Sequence, residues 1–355
     1  MKPLSLKQRV ALELNRRLVK DRRKEHTLRN LFWECTWRCN LSCRHCGSDC
    51  KSSSTLPDMP AEDFIRVVDS ILPHVDRHRL NIIITGGEPL VRDDVEKVGR
   101  MLYDRELPWG IVTNGLYLTE ERFKSLRRAG IHNMTISLDG LEETHNWMRC
   151  NLKSFAKAYA AIKMVAKAAD LNFDVVTCVN RRSLKELPEI KNLLIDAGVK
   201  RWRLFTIFPS GRAVQYPDFE LTKEETTQLM EFISATRKEG KIRASFCCEG
   251  FTAGYEGEVR DYFYECQAGV RVASVLLDGG IGACPSIRAD YRQGNIYEDD
   301  FWDVWENRFE KYRDRRWMKT GACADCSFWR YCEGNGMHLR DSEGRLMHCH
   351  ILKNS

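Results

Sequence analysis

Cys39-Asn40-Leu41-Ser42-Cys43-Arg44-His45-Cys46 carries three cysteines at spacings of four and three, a few residues after the apolar run Leu31-Phe32-Trp33. Thiols this close on a short segment read as one metal site on one loop, not as separate core residues. The count of three is informative. A structural zinc site takes four ligands and is closed. A cubane cluster has four irons, so three cysteine ligands leave one iron free for something else. Cys35 and Cys50 flank the stretch and could supply a fourth thiolate, so a zinc knuckle is the competing reading of these residues.

The surrounding chain fits a large globular protein. Its 355 residues exceed one ordinary small domain but suit an α/β barrel with an appendix. No apolar run approaches a membrane span, and the basic N-terminus lacks the apolar segment of a signal peptide. A cytoplasmic location is expected. There, fifteen cysteines point to metal instead of disulfides. Residues 1–29 hold ten Lys/Arg against three Asp/Glu, and the remainder is near neutral. One reading of 1–29 is an amphipathic helix with Leu6, Val10, Leu14 and Leu18 packed on the barrel. The other is a dock for an acidic peptide or a weak contact with an anionic membrane face. Nucleic-acid binding is not expected, because no basic surplus continues the patch.

After the cysteine loop, apolar runs alternate with amphipathic segments. Leu31–Cys35, Leu80–Thr85, Gly110–Val112, Met134–Leu138, Phe173–Val179 and Arg201–Phe208 read as strands. The segment opened by Pro60, then Asp93–Asp104, Glu120–Ala129, Ser154–Ala169, Leu184–Ala197 and a run from Thr222 to about Lys238 read as helices. Thr222 with Glu225 forms a capping box. Six βα units in a row imply a parallel sheet with helices outside. Chemistry in such barrels sits at the C-terminal ends of the strands. The cysteine loop, Gly86-Gly87-Glu88-Pro89 and Ser137-Leu138-Asp139-Gly140 all fall there.

The loop spacing, with His45 before the last cysteine, and the Gly86-Gly87-Glu88-Pro89 segment at the next strand end resemble the radical S-adenosylmethionine (radical SAM) superfamily. That resemblance implies a partial (β/α)6 TIM-like barrel. It implies a 4Fe–4S cluster on Cys39, Cys43 and Cys46, whose open iron is chelated by S-adenosylmethionine. Gly86, Gly87, Glu88 and Pro89 would then meet the cofactor, the glycines by close backbone approach and Glu88 as acceptor for its amino group. Ser137 matches a cofactor-contacting position in relatives. Arg149 sits where many relatives pair an arginine with the cofactor carboxylate; a surface helix arginine is the alternative. Asn114 is similarly placed, or supports a turn.

Beyond residue 240 the periodicity stops and cysteines return: Cys266, Cys284, Cys323, Cys326, Cys332 and Cys349. Their spacing resembles the SPASM domain, a C-terminal extension with auxiliary iron–sulfur clusters. The sequence departs from that family at Gly336, where a cysteine ligand is expected. Cys323, Cys326, Cys332 and Cys349 are a full set for one auxiliary 4Fe–4S cluster. Cys266 and Cys284 lack a partner, so the other auxiliary cluster is absent or completed by Cys247 or Cys248. A zinc ribbon is the competing reading. His338, His348 and His350 read as polar surface residues. The expected organisation is a basic helix over 1–29, a barrel over 30–240 and a small cysteine-rich, cluster-binding domain over 241–355.

The resemblance implies reductive cleavage of S-adenosylmethionine to a 5′-deoxyadenosyl radical, which abstracts hydrogen from a substrate. Most SPASM relatives act on peptides or proteins, so a peptide or protein substrate is expected. An electron donor such as flavodoxin or ferredoxin is implied as well. Leu31-Phe32-Trp33-Glu34-Cys35 and Cys46-Gly47-Ser48-Asp49-Cys50 also resemble a bacterial subgroup paired with a lipoprotein. The alternatives are a small-molecule enzyme of cofactor or tetrapyrrole chemistry and a non-catalytic iron–sulfur or zinc protein. No catalytic base stands out.

Overall fold

Each of the six apolar runs pairs with the next in chain order. They form the parallel strands β1 (Asn30–Glu34), β2 (Asn81–Thr85), β3 (Trp109–Thr113), β4 (Asn133–Ser137), β5 (Asn172–Val179) and β6 (Arg201–Thr206). The computed structural model describes residues 2–247 and 249–351. Cys248, one candidate to complete an auxiliary site, lies outside them. Register is set by buried β-branched and aromatic residues: Leu31 stands opposite Ile82, Trp33 opposite Ile84, and Ile84 opposite Ile111.

The helices cover the outer face. After α1 (Leu6–Glu25) come α2 (Ala61–Ile71), α3 (Val95–Tyr103), α4 (Glu120–Arg128), α5 (Glu142–Arg149), α6 (Ser154–Val165), α7 (Arg181–Asp196) and α8 (Lys223–Glu239). Trp33 of β1 stacks on Phe64 of α2 with ring centroids 4.6 Å apart, and Trp202 of β6 meets Phe232 of α8 edge-on. Such pairs fix the angle at which helix meets sheet. Thr222 and Glu225 form the expected capping box of α8.

Three features differ from the sequence reading. α5 is an added helix between β4 and α6. It holds few apolar residues, so its eight residues carry no strong stripe. α6 ends at Val165 instead of Ala169, because backbone turns at Ala168 and Leu171 feed the chain into β5. Four short strands extend the sheet: β7 (Arg243–Phe246), β8 (Val272–Val275), β9 (Gly280–Gly282) and β10 (Gly294–Asn295). The order is β10-β9-β8-β1-β2-β3-β4-β5-β6-β7. β8 runs parallel to β1, pairing Asn30 with Val272 through Trp33 with Val275. The cysteine-rich segment is thus hydrogen-bonded to the first strand. Runs of two to four residues are too short for alternation to register.

α1 corrects the first reading of residues 1–29. Leu6, Val10, Leu14 and Leu18 are 79%, 55%, 59% and 56% exposed, whereas Leu12 and Val19 are buried. The helix instead lays its polar side on the C-terminal region. Gln8 Nε2 donates to the carbonyls of Gly254 (2.7 Å) and Glu256 (3.1 Å). Arg22 pairs with Glu265 at 2.9 Å, Arg23 with Glu333, and Glu13 with Arg330.

Candidate active site

The cysteine loop leaves β1 and is held from three sides. Cys39 N donates to Lys51 O at 2.7 Å. Arg44 reaches α5, its backbone N donating to Met148 O (2.8 Å) and its Nε to Trp147 O (3.1 Å). Arg212, from the loop after β6, donates from Nε to Cys43 O and from Nη1 to Cys50 O, both at 2.8 Å. Two distant elements, α5 and the segment after β6, therefore hold the loop, and its own end at Lys51 closes it.

Cys39, Cys43, Cys46, Gly86, Gly87, Glu88, Asn114, Ser137 and Arg149 line one cavity of about 150 Å³ at the C-terminal ends of the strands. Pro89 lies just behind it, buried at the start of a 3-10 turn. The glycines are required by a contact inside the protein itself. A Cβ on Gly86 would stand 2.3 Å from Thr36 O, and one on Gly87 would stand 2.3 Å from Arg38 O. Their backbone crosses the start of the cysteine loop, with Gly87 N donating to Thr36 O and Glu88 N to Arg38 O. The close approach is of backbone to backbone.

The Glu88 carboxylate is buried. Oε1 accepts from Thr113 Oγ1 (2.7 Å) and Leu90 N (3.1 Å), and Oε2 from Asn114 N (2.7 Å). Burial raises its pKa against the pull of those donors. A carboxylate offers about four acceptor positions, so one remains for a ligand. Asn114 supports a turn, as expected, and also faces the cysteine loop. Its Oδ1 caps a turn at Leu116 N (2.9 Å), and its Nδ2 faces Asn40 Oδ1 (2.7 Å) and the Cys39 sulfur (4.0 Å).

Arg149 is no surface residue. It is 8% exposed, its Nη2 meets Asp139 Oδ2 at 2.6 Å, and its Nη1 points at the Cys43 sulfur, 3.7 Å away. Burial alone would raise the Asp139 carboxyl, but Arg149, with His45 and His145, holds it down to about 2. The sequence reading missed Asp139, although it named the strand end that carries it. It also missed Arg212, which has no local signal.

Two observations test whether the loop fits a cluster. Tetrahedral zinc at about 2.3 Å from each sulfur brings ligand sulfurs to about 3.8 Å from one another. Among the described residues, the one group of three or more His, Cys, Asp or Glu ligand atoms within 4.8 Å of one another is His45, Asp139 and Cys178. Neither Cys39, Cys43 and Cys46 nor the C-terminal cysteines are drawn together to that degree. Their wider spacing suits a bulky cluster. In addition, Asn40 Nδ2, His45 Nδ1 and Arg212 Nη2 are buried without a partner, as donors facing an anionic group would be. Cys50 is a neighbour whose side chain hydrogen-bonds the Cys46 sulfur and lowers the Cys46 pKa.

The C-terminal cysteines divide as their spacing suggests. Burial, then the neighbouring Cys349, Cys323 and Cys326, push the Cys332 thiol well up. Cys266 and Cys284 are near each other, and burial, then mutual repulsion, contribute to raising Cys284 to about 11. No partner for them comes from Cys247. It lines a cavity at the opposite, N-terminal end of the strands, its sulfur 3.9 Å from Arg203 Nη1. A side chain at Gly336 would meet the His338 ring at 2.6 Å and Glu249 O at 2.8 Å. The room of the missing cysteine is filled by His338.

The histidines correct another expectation. His348 and His350 are 8% and 4% exposed. His350 Nε2 lies 3.1 Å from Thr206 Oγ1, at the end of β6, and 3.7 Å from the buried Glu249. Burial lowers His338 to about 4. Glu249 accepts from Thr206 N and Oγ1.

A parallel β/α barrel with a three-cysteine loop at the end of its first strand and a cysteine-rich extension defines a cluster-binding enzyme class. Two family models match it: the radical SAM superfamily over residues 33–194, and the SPASM iron–sulfur cluster-binding domain over residues 266–327. The chain carries a radical SAM domain followed by a SPASM domain, and these imply S-adenosylmethionine and 4Fe–4S clusters as its cofactors. It is similar to the AdoMet-dependent heme synthase of Methanosarcina barkeri (29% identical over 324 residues, 86% of this chain and 90% of that one). It is also similar to the mycofactocin maturase MftC of Mycobacterium tuberculosis (28% over 311 residues, 86% and 78%). Its fold matches Streptococcus suis SuiB bound to the precursor peptide SuiA, with a TM-score of 0.70 at 17% identity, covering 95% of this chain and 80% of that one. Among the described residues no helix is long and apolar enough to cross a membrane.

Proposed function

We propose that this radical SAM enzyme modifies a peptide or protein substrate in the cytoplasm, with flavodoxin or ferredoxin as electron donor. Cys39, Cys43 and Cys46 hold the catalytic cluster, and Gly86–Pro89, Asn114, Ser137 and Arg149 hold S-adenosylmethionine. With both bound and the cluster reduced, the site supplies a radical that abstracts hydrogen. The chain's own part is positional. Arg149 and Asp139 form a buried ion pair beside Cys43, and Glu88 braces the start of the cofactor turn. Arg212 and α5 fix the loop, and the barrel wall excludes water. Residues 30–240 form the barrel unit and 241–355 the auxiliary-cluster unit.

The observation that carries the peptide reading is the rim of the mouth. The Arg44 guanidinium stands 5.4 Å from both the Trp147 and Tyr216 rings, and Arg182 lies 4.2 Å over Trp147. Trp, Tyr and Arg are the residue types that dominate polypeptide-binding hot spots, and here they are pre-stacked and partly exposed. The similarity to MftC supports the same reading. A tetrapyrrole substrate is the second reading. It is favoured by the heme synthase similarity and by His338 and His350 behind Thr206, since imidazoles are common iron ligands.

The test is anaerobic incubation of reconstituted enzyme with S-adenosylmethionine, a reductant and either genomically neighbouring peptides or Fe-coproporphyrin III. A peptide that changes mass in step with 5′-deoxyadenosine supports the first reading. A converted porphyrin supports the second. Alanine at Cys39, Cys43 and Cys46 together should abolish cofactor cleavage, whereas Cys35→Ala should retain it. Loss of iron in Cys35→Ala would sink the three-ligand assignment.

A further inference from the structure

α1 is two-faced in an unusual sense. At about 100° per residue, Leu6, Val10, Leu14 and Leu18 form one ridge, and Leu12 and Val19 lie on the opposite side. The inward side buries Leu12 and Val19 and pairs its cations, Arg22 with Glu265, Arg23 with Glu333, and Arg16 with Glu13. The outward side carries the four large apolar residues, each more than half exposed. Beside them stand Lys7, Arg17, Lys20 and Lys24, exposed and without an ion pair among the described residues, and they outnumber the exposed Asp21 and Glu25 on the same face. A helix stabilised by its fold alone would bury its leucines and show its charges. This one holds its neutralised charges in and its leucines and unpaired cations out.

We infer that α1 docks the enzyme on an anionic membrane surface. The chemistry is that of an interfacial helix: an apolar ridge to enter the acyl boundary and flanking cations to meet lipid phosphates. Length fits as well, since twenty residues give about 30 Å of helix lying in the interface plane. Lipid is favoured over an acidic polypeptide by shape. The ridge is convex, and no α1 residue lines the described cavities, whereas a bound peptide needs a groove or a free strand edge. Because α1 is clamped to residues near Cys266 and Cys332, docking holds the auxiliary-cluster region at the bilayer.

The experiment is flotation of the anaerobically reconstituted full chain with vesicles of phosphatidylcholine, with and without phosphatidylglycerol. Binding is expected only with the anionic lipid and should weaken with added salt. The variant Leu6→Gln, Val10→Gln, Leu14→Gln, Leu18→Gln keeps good helix formers and should lose binding at least about tenfold. Its melting temperature and S-adenosylmethionine cleavage should be unchanged, because none of these residues touches the site. Lys7→Gln with Lys20→Gln should weaken binding to the anionic vesicles only. Absence of flotation, equal flotation of the leucine variant, or binding indifferent to phosphatidylglycerol would overturn the inference. So would a wild-type dimer that the leucine variant dissolves, which would make the ridge a contact between copies. Polyglutamate binding as tight as vesicle binding would assign the face to an acidic chain instead.

Discussion

Gly87 carries a second demand that its sequence neighbours do not reveal. Its freedom was legible, but not what approaches it; the occupant is the Arg38 carbonyl, one residue before Cys39. Gly87→Ala should therefore displace the cysteine loop as well as the cofactor turn. Overpacking of this kind costs about 1–3 kcal/mol, or about tenfold to a hundredfold in affinity where binding bears it. Iron content and S-adenosylmethionine affinity should fall together; a variant with full iron and weakened cofactor binding alone would restore the ligand-approach reading. His145 gives a second outcome. Its Nδ1 accepts from Asp139 N and its Nε2 meets Ser154 Oγ, both at 3.0 Å. A proton on Nδ1 would set donor against donor. Burial, then the Arg149 charge, lower its pKa to about 3. The unfolded imidazole takes its proton near about 6.5, so between those values the unfolded state binds more protons. Stability should fall as pH drops from about 6.5 toward 3, by up to about 1.4 kcal/mol per pH unit from this group. Denaturant midpoints of wild type and His145→Gln from pH 7 to pH 5 measure it, and parallel slopes would refute it. Cysteine and glycine positions were legible because their chemistry is local. Asp139, Arg212 and Glu249 were not singled out, because each draws its meaning from partners far along the chain.

At the level of elements, periodicity identified the six strands and their helices, since each buries an apolar stripe long enough to repeat. It did not find β7–β10, whose length is below the repeat, or α5, whose task is to carry Arg149 and grip the loop. For α1 the stripe was read correctly and its direction wrongly: spacing defines a face, but not which face the rest of the chain covers. The C-terminal cysteine elements yield a counting experiment. Iron is measured after reconstitution in a variant lacking Cys39, Cys43 and Cys46. About four irons per chain are expected, one cubane on Cys323, Cys326, Cys332 and Cys349, because His338 fills the space beside Gly336. About eight would mean that Cys266 and Cys284 find other ligands. Zinc in place of iron would make the region a structural ribbon.

For the whole molecule, the pairing of β8 with β1 has a consequence for how the chain is made. β1 emerges early from the ribosome, and its outer edge waits for a partner some 240 residues later in the sequence. Until then it exposes unpaired amides and carbonyls beside a loop of reactive thiols, a template for wrong pairing. Closing so long a loop is slow relative to local helix formation. Cluster loading on the sealed sheet is therefore expected only once β8 has been made. A chain stopped at residue 265 should accumulate in inclusion bodies even though every βα unit is present; a soluble, iron-loaded fragment of that length would show that the barrel seals itself. β8 would thereby act as a timer, holding back assembly of the radical centre until the strand that seals its sheet has been made.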